Sequence, residues 1–307
     1  MPAAEATARP TAEPASKPRP VVPLLIALLC VVWGSTWWAI RLSLEDQPPL
    51  SSAALRFLIA GAAMAALAPR LRRAEAAPAP PTWLWLVAGA TNFTGCYGLL
   101  YLAETVVPSG IAAVLWAIFP LLMAASAVLV LGERLRRLQL GGFLLSFSGI
   151  VIVFAGDLGG LPQGDIGPAL LVLGSAVSSA IGTTLVKKYG GGTSSVLLNR
   201  NGMLFGAALL TIAAFVAERP LAMGCSWRGM LATLYLALFG TALTFGVYFW
   251  LLRTVAASRL ALITYVTPVV AILLGAAVGD GTMDGAAWLG ALLVTAGIVL
   301  VVRRPRA

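Results

Sequence analysis

The chain contains no histidine, which removes the commonest metal ligand and the side chain most often used as a general base near neutral pH. Zinc sites, Ser-His-Asp triads and Cys-His pairs are excluded with it. Cys30, Cys96 and Cys225 have no paired spacing, and the first two lie inside apolar runs, so no disulfide is expected. No G-x-x-x-x-G-K loop is present to hold a nucleotide, so ATP is not expected to act directly. Neither a metal nor a cofactor is expected. The Asn92-Phe93-Thr94 triplet matches a glycosylation sequon but falls in the middle of an apolar segment, beyond the reach of glycosyl transfer.

The side chains left to do chemistry are polar and aromatic groups set within apolar runs, where their cost in lipid directs them to a bundle interior. Asn92 suits either a bond to the amino or carboxylate group of a substrate or a bond to a neighbouring helix. Trp116 lies too deep in its segment for an interfacial belt, which leaves stacking or gating in a cavity, or packing. Trp33, Trp37 and Arg41 share one helix face; for Trp37 a belt role and a gating role both fit. Ser175, Ser178, Ser179 and Gly182 form a small-residue face with Thr183 alongside, suited to close helix approach. Tyr97 and Tyr248 combine hydroxyls with rings that line a cavity or pack. Arg56 is the one formal charge inside a segment, placed near its outer end, where a substrate carboxylate or Glu45, Asp46 or Glu104 could pair with it. The candidate substrate-binding set is Trp116, Asn92, Tyr97, Trp37, Ser179, Thr183, Tyr248 and Tyr265.

The elements that must position these groups follow from composition. Of 307 residues, 59% are hydrophobic and 11% charged, and the mean hydropathy is +0.91; lipid is the solvent such a chain fits. The net charge of +9 comes without a basic stripe on a soluble fold, so nucleic acid is not an expected partner. Residues 1–20, rich in Ala, Pro, Thr and Glu, read as a disordered cytoplasmic tail. The apolar run that follows is too long for a signal peptide and reads as a retained first helix. Apolar runs give spans near Val22 to Ile40, Ser51 to Ala68, Trp83 to Leu102, Pro108 to Val130 and Leu138 to Phe154. A second set runs near Ile166 to Val186, Ser195 to Ala217, Met230 to Trp250, Leu260 to Val278 and Ala286 to Val302. The fold class expected is an all-α integral membrane protein of ten transmembrane helices.

Of the 21 Lys and Arg residues, only Arg41, Arg219 and Arg228 fall opposite the N-terminal side, with Arg56 inside a span. That bias places both termini in the cytoplasm. Trp83, Trp85, Trp227, Trp250 and Trp288 sit at span ends as interfacial anchors. A shift of 148 residues lays Pro120 on Pro268, Gly142 on Gly290, Gly149 on Gly297 and Ile150-Val151 on Ile298-Val299. The chain therefore reads as two repeats, 21–154 and 155–307. Five is odd, so the copies enter the membrane from opposite sides, an inverted-topology repeat of the kind secondary transporters use around a midplane site.

Trp33-Gly34-Ser35-Thr36 with Arg41, Leu55-Arg56-Phe57, Pro120 followed by Leu131-Gly132-Glu133-Arg134-Leu135, and Gly149-Ile150-Val151 together resemble the EamA family of the drug/metabolite transporter superfamily. The likeness covers nearly everything from Val22 to Val302. It departs at Val278-Gly279-Asp280-Gly281, where the second copy lacks the Gly-Glu-Arg of the first. Within the family the chain is most similar to YddG-type bacterial amino-acid exporters in length, tail and tryptophans. That resemblance implies an inner-membrane exporter of aromatic and other neutral amino acids and similar small metabolites; the alternative is a multidrug or other metabolite exporter of the same fold. A monomer is expected, because two repeats already supply both halves of a cavity. With no Asp or Glu in a span core, proton or sodium coupling is not expected. Without a catalytic pair at membrane depth, neither is enzymatic activity.

Overall fold

The structure, a computed structural model, describes residues 21–107, 109–153, 166–219, 223–277 and 285–302. The expected tail at 1–20 and the Val278-Gly279-Asp280-Gly281 stretch lie outside them. All regular elements among the described residues are helices. In order these are α1 (Val21–Leu44), α2 (Pro49–Glu75), α3 (Thr82–Ala88), α4 (Cys96–Glu104), α5 (Ser109–Trp116), α6 (Phe119–Leu129), α7 (Arg137–Val153), α8 (Gly167–Tyr189), α9 (Ser195–Ala217), α10 (Trp227–Ala237), α11 (Thr244–Leu252), α12 (Ala257–Leu260), α13 (Ile263–Ala277) and α14 (Gly285–Val302). A π turn at Gly89–Gly95 joins α3 to α4, and another at Leu238–Leu243 joins α10 to α11.

Six stretches are long and apolar enough to cross a bilayer: Val21–Leu44, Pro49–Glu75, Ile111–Leu129, Gly167–Tyr189, Ser195–Ala217 and Trp227–Leu252. Shorter apolar helices at Arg137–Ile152, Ala257–Val270 and Trp288–Val302 occupy the expected fifth, ninth and tenth positions. The third position is filled by α3, its π turn and α4. The fourth expected span is two helices rather than one. Its chain turns at Ala117 and Ile118, just before Pro120, whose ring nitrogen has no hydrogen to continue the ladder.

Helix starts are legible in local chemistry. Prolines occupy the first turns of α2, α6 and α8, where an absent N–H is no loss. The hydroxyls of Ser194 and Ser226 cap α9 and α10 by accepting from the Leu197 and Gly229 amides. α2 and α9 pack antiparallel and finish each other. Glu75, at the end of α2, accepts from the Ser195 amide at 2.7 Å and from the Ser194 and Ser195 hydroxyls. Glu218, at the end of α9, accepts from the Leu50 and Ser51 amides at 2.6 and 2.9 Å. Each carboxylate thus meets the positive start of the opposite helix, and Arg253 pairs with Glu75 at 2.8 Å.

A second antiparallel pair, α7 and α14, is built from glycine. A methyl group at Gly142 would lie 2.6 Å from the Gly297 carbonyl, and one at Gly149 would lie 2.7 Å from that of Gly290. Only hydrogen fits at such a crossing, which in lipid is driven by close packing rather than by water exclusion. Against the α2–α9 pair lies an aromatic interior in which Phe57 packs on Phe93 at 5.3 Å and Phe93 on Phe245 at 5.1 Å.

Candidate functional site

A cavity of about 80 Å³ lies between α1, α4, α5, α6, α8, α11, α12 and α13. Each π turn is followed within two residues by one that faces the cavity. The extra residue in each turn re-phases the helix that follows, and so Cys96 and Tyr97 after the first turn, and Phe245 and Tyr248 after the second, reach the same space.

Eight of the seventeen lining residues form pairs 148 residues apart, the register that also relates Ser146 to Val294. Tyr97 matches Phe245, Leu100 matches Tyr248, Trp116 matches Thr264 and Phe119 matches Thr267, and all eight line the cavity. The backbone positions correspond but the chemistry does not. The Trp116 and Phe119 rings stack at 4.8 Å with an interplanar angle of 22°, whereas their counterparts are threonines. One wall is a flat aromatic surface and the other carries hydroxyls.

Hydrogen bonds fix the rings. The Trp116 indole donates to the Ser175 hydroxyl at 2.7 Å, and the Trp33 indole donates to the Thr244 hydroxyl at 3.0 Å. Trp33 also meets Tyr248 at 5.3 Å. Among the described residues that line the cavity none is charged. The Tyr248 hydroxyl is buried beside the Thr183 hydroxyl, which in turn donates to Asn92.

Of the candidate substrate-binding set, Trp37, Tyr97, Trp116, Ser179, Thr183 and Tyr248 line this cavity. Asn92 stands one layer behind it: its carbonyl oxygen accepts from Thr183 at 3.1 Å and from Ser179 at 3.5 Å, while its amide nitrogen has no partner. The small face of α8 lets the first π turn approach, with the Ser178 hydroxyl donating to the Thr91 carbonyl at 2.9 Å. Tyr265 is not brought to the cavity. Its hydroxyl donates to the Phe143 carbonyl at 3.2 Å, in a cluster that includes Val294 and Val301. Its neighbour Thr264 faces the cavity instead.

Among the described residues Arg56 makes no direct ion pair with Glu45, Asp46 or Glu104, although Glu104 lies within reach of its charge. Arg56 is 1% exposed and donates to the Thr241 hydroxyl at 2.7 Å, to the Tyr101 hydroxyl at 3.2 Å and to the Gly240 carbonyl at 3.2 Å. Its guanidinium also lies 4.6 Å from the Tyr97 ring centroid, behind the cavity wall. The reason is the second π turn, whose displaced carbonyls need donors that lipid cannot supply. The Glu104 carboxylate oxygens are buried without a hydrogen-bond partner. Sequence reading missed Phe245, Cys96, Phe119 and Leu260 as lining residues, since apolar side chains within apolar spans carry no local signal.

The model of the EamA-like transporter family matches this chain twice, over residues 21–155 and 167–303. The chain is 34% identical over 290 residues to the "Uncharacterized inner membrane transporter YedA" of Escherichia coli strain K12, covering 92% of each. It is 30% identical to the "Uncharacterized transporter YvbV" of Bacillus subtilis strain 168, covering 94% of each, and 27% identical to "Protein PecM" of Dickeya dadantii, covering 88% of each. A solved crystal structure superposes with a TM-score of 0.77 at 22% identity, covering 91% of this chain and 95% of the other.

Proposed function

The chain belongs to the EamA-like transporter family, and from that premise we propose that it is a multi-pass inner-membrane exporter of neutral amino acids, aromatic ones included, and of similar small metabolites. The observation that carries the substrate class is the mixed lining of the cavity: Trp116 and Phe119 offer a flat apolar platform, while Thr264 and Thr267, at the corresponding positions of the second repeat, contribute hydroxyls. A small molecule with one flat apolar face and one polar edge fits both walls. An uncharged lining suits a neutral or zwitterionic substrate, because a net charge would be stranded without a partner. The alternative substrate is a drug-like or other metabolite of the same shape.

The mechanism proposed is alternating access between two inverted repeats, 21–154 and 155–307, which together form ten spans. Its support is the double family match, the lining pairs in one register and the antiparallel α7 and α14 pair, in which each glycine meets the counterpart of the other. The face carrying Arg70, Arg72, Arg73, Arg134, Arg136 and Arg137 is assigned to the cytoplasm by its positive charge. A single chain supplies both walls, so a monomer is the functional unit, with lipid as its surroundings. At about 80 Å³ the cavity is smaller than the pockets that hold drug-sized ligands. Transport of a larger substrate therefore requires its walls to part.

The test is efflux from proteoliposomes loaded with a panel of labelled neutral amino acids. Wild type is expected to release several of them, fastest those with flat side chains, and Trp116→Ala to lose the aromatic ones selectively. Efflux of none would move the substrate class to other metabolites. Transport is expected to run down the substrate gradient alone. A second reading, proton coupling, rests on Glu104, whose carboxylate oxygens are buried and accept no hydrogen bond. It predicts dependence on an imposed pH gradient that disappears in Glu104→Gln.

A further inference from the structure

Where α6 leads into α7, two concavities meet away from the transport cavity. One is a groove of about 420 Å³ on the flank of the bundle, with aliphatic walls from Leu121, Ala125, Val128 and Leu140, and it ends at Arg136 and Arg137. The other, about 360 Å³, shares Leu135 and Arg136 with the groove and forms a cup edged by Arg134, Arg136, Lys187 and Arg259.

The charges in the cup are unequally committed. Its one carboxylate, Glu133, turns away to accept from the Ala257 amide at 3.1 Å and the Ser258 hydroxyl at 2.7 Å. The Lys187 ammonium donates to the Leu252 and Val255 carbonyls at 2.6 and 2.9 Å. The guanidiniums of Arg134, Arg136 and Arg259 have no ion pair or side-chain hydrogen bond among the described residues. Three unspent cations therefore converge on a hollow in which Glu133, the one carboxylate among the described lining residues, is already occupied, and an open apolar channel leads from it along the helices.

We propose that the cup and groove together bind one anionic phospholipid, with its phosphate among Arg134, Arg136 and Arg259 and an acyl chain along α6 and α7. A guanidinium offers a forked pair of donors that matches phosphate oxygens, and basic hollows at the cytoplasmic ends of membrane helices favour anionic headgroups. A free phosphate would leave the aliphatic groove unused. A zwitterionic headgroup would bring its own cation into an already cationic cup. The site stands on the membrane placement of these helices and is independent of what the central cavity carries.

The test uses the full-length protein in detergent, titrated with phosphatidylglycerol or with phosphatidylcholine of the same chains, with bound lipid counted by native mass spectrometry. One phosphatidylglycerol should be retained in preference to phosphatidylcholine. Arg136→Gln and Arg259→Gln should each weaken it about fivefold, the effect of one cation near an anionic headgroup, with Arg136→Lys recovering part of the loss. Ala125→Trp, which fills the groove at an exposed position, should also weaken it. All variants should melt with wild type in phosphatidylcholine, since the arginines have no internal partners to lose. Equal retention of the two lipids overturns the proposal. So does complete displacement by inorganic phosphate with Ala125→Trp indistinguishable from wild type, because that would be an anion cup with no lipid specificity.

Discussion

The two π turns sit at corresponding depths in the two halves and do the same geometric work, yet they are held by different means. In the first, Gly89–Gly95, the displaced carbonyls are met by nearby hydroxyls: Thr94 donates to Gly89 at 3.0 Å, and Ser178 donates to Thr91. In the second, Leu238–Leu243, Thr241 donates to the Leu236 carbonyl at 2.8 Å, but the Gly240 carbonyl depends on Arg56, which the other half of the chain contributes. One irregularity is stabilised by small neutral groups packed close, the other by a hydroxyl together with a buried cation reaching across. A backbone device can thus be kept in both copies of a repeat while the side chains that satisfy it diverge, because the requirement is for a donor and not for a particular residue.

The contrast predicts unequal sensitivity. Arg56→Leu should have the largest effect. It removes three hydrogen bonds from a charged donor, each worth about 1.5–3 kcal/mol, and should destabilise the detergent-solubilised protein by about 3 kcal/mol or more in thermal unfolding. Amide exchange should accelerate across 238–243 and stay slow across 89–95; acceleration in both would erase the asymmetry. Arg56→Lys should recover less than half of the loss, since an ammonium cannot fork between Thr241 and Gly240.

Gly182→Ala attacks the first turn instead. The added methyl would collide with the Thr91 hydroxyl and the Asn92 amide, and overpacking of this kind costs about 2 kcal/mol. Here the exchange pattern should reverse, with 89–95 loosening first. The smallest change is expected from Thr94→Val, which deletes hydroxyl bonds to the Gly89 and Gly206 carbonyls at about 1 kcal/mol. If Thr94→Val were as damaging as Arg56→Leu, the first turn would depend as heavily on one group.

How far these features are legible in the sequence depends on the signal each leaves. The depth of Trp116 and the hydroxyls of Ser179 and Thr183 are visible in the spacing, and all three face the cavity. Tyr265 shows the limit of such reading: one step along a helix is a turn of about 100°, enough to send it to Phe143 while Thr264 faces inward. The π turns are not read from the sequence: the glycines and polar residues of Gly-Ala-Thr-Asn-Phe-Thr-Gly also suit close helix packing, and Leu-Phe-Gly-Thr-Ala-Leu is ordinary apolar helix by composition. Without them the Gly240 carbonyl has no special need, and Arg56 is read as a group seeking a carboxylate. The reciprocal caps of α2 and α9 are equally silent, because the partners lie far apart in the chain.

Those caps also set a schedule for synthesis. The carboxylate that closes the start of α2 stands 168 residues further along than Leu50. A ribosome adding roughly 5–20 residues per second delivers it roughly ten to thirty seconds later. Throughout that interval the nascent first half sits in the bilayer with the amides of Leu50 and Ser51 uncapped at one surface and the Glu75 carboxylate unmatched at the other. Neither half is a finished product on release from the insertion machinery. Each is held open by groups that only the other can satisfy, so assembly is completed by the arrival of the last helices and not by the maturation of the first.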